Sequence, residues 1–161
     1  MTDIPASHAQ DALKLTADAY VDLFEITLRP SGKLYLKSNN DIEWQGKTWE
    51  GIALQLTGVF QNSGEESSRP RLNIVNPAGI FSAFIANNAI DRATINRYRV
   101  LKAHIDANTN IYRRQTWTVG RVASLNSKMI GLELRELSDG PNVLLPARVF
   151  APPDFPVVSL R

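Results

Sequence analysis

Cysteine is absent from this chain of 161 residues. That leaves no disulfide framework, no thiolate-ligated zinc or iron–sulfur cluster, and no thiol nucleophile. Histidine occurs only as His8 and His104. A metal site needs several converging ligands, and neither histidine has a suitably spaced partner, so no metal is expected. A serine hydrolase needs a histidine base beside its nucleophile, and no Gly-x-Ser-x-Gly elbow is present. Charge of one sign is also scarce. The net charge of +2 falls short of the concentrated basic stripe that marks a nucleic-acid binder. No apolar run approaches the roughly 20 residues that cross a bilayer. Met1 to Gln10 is polar and lacks the basic and apolar regions of a signal peptide. These absences point to a soluble product with no membrane partner in isolation; folding in a reducing cytoplasm fits, although a chain without cysteine is equally at home outside it. Internal repeats and low-complexity tracts are missing too.

What remains has the composition of a globular domain, 43% hydrophobic and 21% charged. The length suits one domain that buries its own core. Residues 5–19 predict a helix with Pro5 in its first turn, an exposed arm being the alternative. From Tyr20 the period becomes two. Phe24, Ile26 and Leu28 alternate with Glu25 and Thr27, the pattern of a half-buried strand. Pro30-Ser31-Gly32 predicts a turn into a second strand at Lys33 to Leu36, which makes a hairpin. In Trp44-Gln45-Gly46-Lys47-Thr48-Trp49, two tryptophans flank a glycine-bearing turn. Trp44, Gly46 and Trp49 are therefore read as a structural hairpin whose aromatic rings pack across it. Residues 53–60 predict a strand, and Gln61 to Ser68 an exposed connection. Arg71 to Val75 predicts a strand opened by Pro70 and closed by Asn76-Pro77-Ala78-Gly79. Ile80, Phe81, Phe84, Ile85 and Ala89 recur at helical spacing, predicting a short helix over 80–90 that caps an open end. Ala93 to Asp106 reads as one long strand, followed by strands at Arg113 to Ala123 and Lys128 to Leu137 joined at Asn126-Ser127.

Beyond Ser138-Asp139-Gly140-Pro141, residues 144–161 carry four prolines, Pro146, Pro152, Pro153 and Pro156. Proline forbids helix and central strand locally. The segment is still apolar, unlike an ordinary disordered tail, so it predicts an extended arm lying on its own body or on a neighbour. The expected architecture is mainly β: a barrel or sandwich of roughly eight strands, with one or two short helices and an extended C-terminal arm. Three segments follow: an N-terminal helix or arm (1–19), a β-barrel domain (20–143) and the proline-rich arm (144–161).

No motif that carries a catalytic mechanism is present in the sequence. Gly46-Lys47-Thr48 imitates the end of a phosphate loop, but that loop needs a glycine where Asp41 stands. Glu65 and Glu66 could serve a glycosidase only as a facing pair in a cleft. Adjacent in a loop, they read as a solvated patch. No catalytic, cofactor-binding or metal-binding residue is assigned, and the chain is read as non-enzymatic. Arg92, Arg97, Arg99 and Lys102 fall along one predicted strand, and Arg113 and Arg114 begin the next. Paired, these strands would bear either a positive surface for DNA phosphates or, on the reading preferred here, a solvated face or charges crossing to acidic neighbours.

The middle of the chain carries a family resemblance. Trp44-x-Gly46-x-x-Trp49, then Ser67-Ser68-Arg69-Pro70-x-Leu72-x-Ile74-x-Asn76-x-x-Gly79, resembles the phage minor tail protein L family of lambda-like tails. Ala93-Thr94-Ile95 before an arginine-bearing strand, the start at Phe24 to Leu28, and Leu145-Pro146-x-Arg148-Val149 are similar to it as well. Such proteins continue into a cysteine-rich domain associated with an iron–sulfur cluster. With no cysteine here, the resemblance extends to the first domain only, without the cluster. It implies a barrel related to tail-tube proteins and a place in the tail tip of the virion. The product would be made in the host cytoplasm and form a homo-oligomeric ring, threefold or sixfold, with the trimer favoured. Its partners would be the distal tail ring and the central hub or fibre protein, with DNA in the tail lumen as a further contact. The alternative function is a DNA- or host-surface-binding β-module of a phage tail. Arg69, Arg148, Phe150 and Phe155 are the candidate subunit-interface residues, the two phenylalanines as aromatic anchors.

Overall fold

The computed structural model describes residues 4–11, 19–59 and 69–136. Nine strands run in chain order as β1 (Tyr20–Thr27), β2 (Lys33–Lys37), β3 (Ile42–Trp44), β4 (Lys47–Gly51), β5 (Leu54–Thr57), β6 (Arg71–Val75), β7 (Thr94–Leu101), β8 (Arg113–Leu125) and β9 (Met129–Glu136). Three short helices accompany them among the described residues, α1 (Ala6–Asp11), α2 (Ile80–Ala86) and α3 (Lys102–Asp106), with a 3-10 turn at Pro77–Gly79 leading into α2. The protein is thus mainly β, built on one large mixed sheet. The strands hydrogen-bond in the order β3-β4-β2-β1-β7-β8-β9-β6-β5. Among the described residues, only β2 and β4 pair in parallel.

One extended segment joins the two sides of this sheet. Glu50 and Gly51 pair with Leu36 and Lys37 of β2. The Ile52 amide then donates to the Lys37 carbonyl at 2.8 Å, and the Ala53 carbonyl accepts from the Val75 amide at 2.9 Å. From Leu54 to Thr57 the same segment pairs with β6. The chain changes partner within two residues, so the sheet curls around a single interior.

Side-chain alternation fills that interior. Phe24, Ile26, Leu36, Leu72, Ile74, Ile95, Trp117, Val119, Ile130, Leu132 and Leu134 share one buried cluster, with Phe81 of α2 packed into it. Burying each large apolar side chain contributes on the order of 1.5–3 kcal/mol. Asn76 ties α2 to the β8–β9 turn. Its side chain accepts from the Phe81 amide at 3.0 Å and donates to the Asn126 carbonyl at 3.4 Å.

A second cluster lies on the opposite face, where Trp44 and Trp49 of the β3–β4 hairpin cover Leu23, Val100 and Ile105. This cover changes the reading of β1. Glu25 and Thr27 were expected to face water, yet Glu25 is buried because that face is roofed by a hairpin from elsewhere in the chain.

The expected strand from Ala93 to Asp106 is also corrected. It ends at Leu101, and Lys102–Asp106 forms α3. The alternation through Ala103 and Ile105 equally satisfies helical spacing, since Leu101 and Ile105 are four apart. The helical turn brings Ile105 under the tryptophans. His104 therefore lies on a helix rather than a strand. Its ring stacks on His8 of α1, centroids 6.1 Å apart. Most of the 5–19 stretch beyond α1, the 61–68 connection and the 144–161 arm lie outside the described residues.

Candidate functional site

The β3–β4 hairpin is formed by a two-residue turn, Gln45-Gly46, with φ of 54° and 68°. Positive φ at both positions is the twist that a tight hairpin needs, and glycine adopts it without strain. Trp44 and Trp49 lie on the same face with centroids 6.2 Å apart. Tyr98 and Tyr112 complete the aromatic group. The turn is held to the loop after α3: the Trp44 indole N–H donates to the Thr109 carbonyl at 3.2 Å, and the Gln45 amide to Asn108 at 3.0 Å. Beneath the hairpin, Glu25 accepts from Lys33 at 2.7 Å and from the Tyr98 hydroxyl at 2.9 Å. Burial works to raise the Glu25 pKa, but these hydrogen bonds and the lysine charges outweigh it and hold the carboxyl below its usual range. Burial, then the neighbouring Glu25, pushes the Tyr98 phenol up.

A second polar group sits at one end of the interior face. Asp22 stands opposite Arg99, and Arg99 opposite Arg113. In the adjacent row Arg97 faces Gln115. The Asp22 carboxylate accepts from Arg97 Nη2 and, at 3.0 Å, from Arg99 Nε. Arg97 Nη1 donates to Gln115 at 3.1 Å. Burial favours a protonated Asp22, yet the two guanidiniums prevail and keep its pKa low. Among the described residues, the Nε atoms of Arg97 and Arg113 are buried without an acceptor.

The third group is on the outer face of β6, β8 and β9. Glu133 lies between Leu132 and Leu134, and its side chain is only 3% exposed. Arg69 Nη1 donates to one carboxylate oxygen at 2.9 Å and Arg121 Nε to the other at 2.7 Å. These hydrogen bonds, Arg69 first, hold its pKa below the ordinary value.

The residues singled out from sequence are thus scattered. Arg69 anchors Glu133, and Trp44, Gly46 and Trp49 form the outer hairpin. Arg148, Phe150 and Phe155 lie outside the described residues. The arginines from 92 to 114 do not share one surface. Arg97, Arg99 and Arg113 point to the interior face, while Arg114 faces the other way beside Tyr98. Arg92 is in a turn and Lys102 on α3. Asp22 and Glu133 were missed. The only hint in the sequence was a single acid among apolar strand residues, and its partners come from strands whose register the sequence does not state.

No family model matches the sequence, and no curated protein matches it significantly. Among solved structures, the fold is similar to a chain from the "Virion of native gene transfer agent (GTA) particle". The TM-score is 0.60 at 15% sequence identity, covering 92% of this chain and 50% of that one. This chain therefore spans half the length of that virion chain, and the likeness is one of fold.

Proposed function

We propose that this protein is a structural component of a phage-type virion. More narrowly, we read it as a tail-tip protein that forms a ring or hub between the distal tail and the central hub or fibre protein. The observation that carries the reading is the fold shared with a gene transfer agent virion chain over 92% of the residues. The minor tail protein L resemblance supplies the finer position, including a trimeric ring and DNA in the lumen. The proposal assigns no catalysis and no cofactor. Asp22, Glu25 and Glu133 are each engaged by cations or a phenol that hold strands together, which is the work of a scaffold.

Cryo-electron microscopy of purified tails, with this chain tagged at its N-terminus, tests the proposal. Tag density in a closed ring beside the central hub is the expected result. Absence of the chain from intact tails would refute it.

A further inference from the structure

The outward faces of two parts of the sheet carry opposite charge. On the β3–β4 hairpin, Glu43 and Glu50 alternate away from Trp44 and Trp49, and Asp41 directly precedes β3; all three are exposed. Asp41 accepts from the Gly51 amide at 2.6 Å, and among the described residues none of the three has an ion-pair partner. The hairpin's own cation does not offset them, because Lys47 reaches to the other side, 4.9 Å from the centre of the Tyr35 ring. On the outer face of β6, β8 and β9, Arg71, Arg121 and Arg135 are exposed around the buried Glu133. Arg135 lies flat across Gly120, where a Cβ would fall 2.7 Å from its Nε. Arg121 is fixed through its Nε by Glu133, so its outer N–H groups are oriented before any partner arrives. The strands β2, β1 and β7 separate the hairpin from this face in the sheet order.

We infer that the acidic outer face of the β3–β4 hairpin docks on the arginine face of β6, β8 and β9 of a second copy of this chain. The inference rests on the ring-building role proposed above and names the two surfaces that would build it. Complementary surfaces at different places on one chain form a head-to-tail contact, which closes into a ring when the rotation allows. The match of charge is what selects the second copy. Duplex DNA is the less suitable occupant. The near-neutral chain has little long-range field to attract it, and the arginine strands present no aromatic side chain outward for base stacking.

The test uses the full chain in sedimentation experiments. Wild type should self-associate at low salt and dissociate as salt rises. Glu43→Lys/Glu50→Lys and Arg71→Glu/Arg135→Glu should each weaken association at least about tenfold, because each sets like charges face to face. Circular dichroism would check that both variants fold, and Arg71→Gln/Arg135→Gln gives a milder face variant should the reversal unfold. The decisive step is mixing. The lysine-bearing hairpin now fits the glutamate-bearing face, so the two reversed proteins should associate together while neither does so alone. Wild type that stays monomeric at low salt, or a mixture that fails to associate, would overturn the inference. So would binding of a duplex DNA probe that is lost in Arg71→Glu/Arg135→Glu without any self-association. Rings that form regardless of these charges would remove the two faces while leaving the ring role standing.

Discussion

Replacing Asp22 with alanine removes one carboxylate and leaves Arg97 with a buried charge. The Arg97 side chain is 10% exposed and Asp22 32% exposed. Among the described residues, Arg97 would keep only the neutral Gln115 oxygen, and its Nε already has no acceptor. Breaking a buried ion pair costs about 3–5 kcal/mol. Water reaches a third of Asp22, so screening brings the loss below that range, to about 2–3 kcal/mol. The Arg99 arm is more exposed and adds under about 1 kcal/mol. For a chain of this size the loss lowers Tm by roughly 5–10 °C. Arg97→Met alone should cost about 1 kcal/mol, since Asp22 keeps Arg99 and some water. The double variant should then be more stable than Asp22→Ala by itself, because no buried charge is left behind. Urea unfolding followed by tryptophan fluorescence measures all three variants in one cycle. If Asp22→Ala costs less than about 0.5 kcal/mol, or if the two losses simply add, the ion pair is not what orders this end of the interior.

Trp49→Ala empties the centre of the outer cluster and should cost about 3–5 kcal/mol, read as a lower urea midpoint together with faster proteolysis within the hairpin. Gly51→Ala puts a Cβ 1.8 Å from the Asn39 carbonyl oxygen, a backbone clash. It should destabilise by about 1–3 kcal/mol or more, whereas Gly46→Ala, with open space around it, should lose only about 1 kcal/mol from its positive φ. Acid should weaken the fold. Asp22, Glu25 and Glu133 are all held below their ordinary pKa values, so their stabilisation is complete above the unfolded-state values of about 4 and is lost as pH falls below them. A urea midpoint that stays flat from neutral pH down to about 3 would contradict this, and Glu133→Gln should flatten part of the decline.

Local patterns carried much of the fold. The turn at Gln45-Gly46, the strand from Arg71 to Val75 after Pro70, and the start of a helix at Ile80 beyond Asn76-Pro77-Ala78-Gly79 were all readable, although that helix stops at Ala86 and leaves Ala89 outside it, short of the expected 80–90. In each, a residue with special backbone chemistry marks the boundary and a short apolar period fills the element. The strand read through Asp106 failed for a related reason. Four residues of alternation around His104 fit a strand and a helical turn equally well, and contact of Ile105 with the tryptophans decided between them.

Composition and periodicity alone determined that this chain is mainly β, that it carries no cysteine, and where most strands start and stop. These properties depend on neighbours within a few residues. The tertiary structure decided everything that depends on register and closure. It placed Asp22 beside Arg97 and Arg99, set Glu133 between Arg69 and Arg121, and let 47–57 hydrogen-bond to β2 and then to β6. It also buried Glu25 under a hairpin that its own strand gave no sign of. A strand's sequence states which residues share a face, but what covers that face is settled only when distant segments pack.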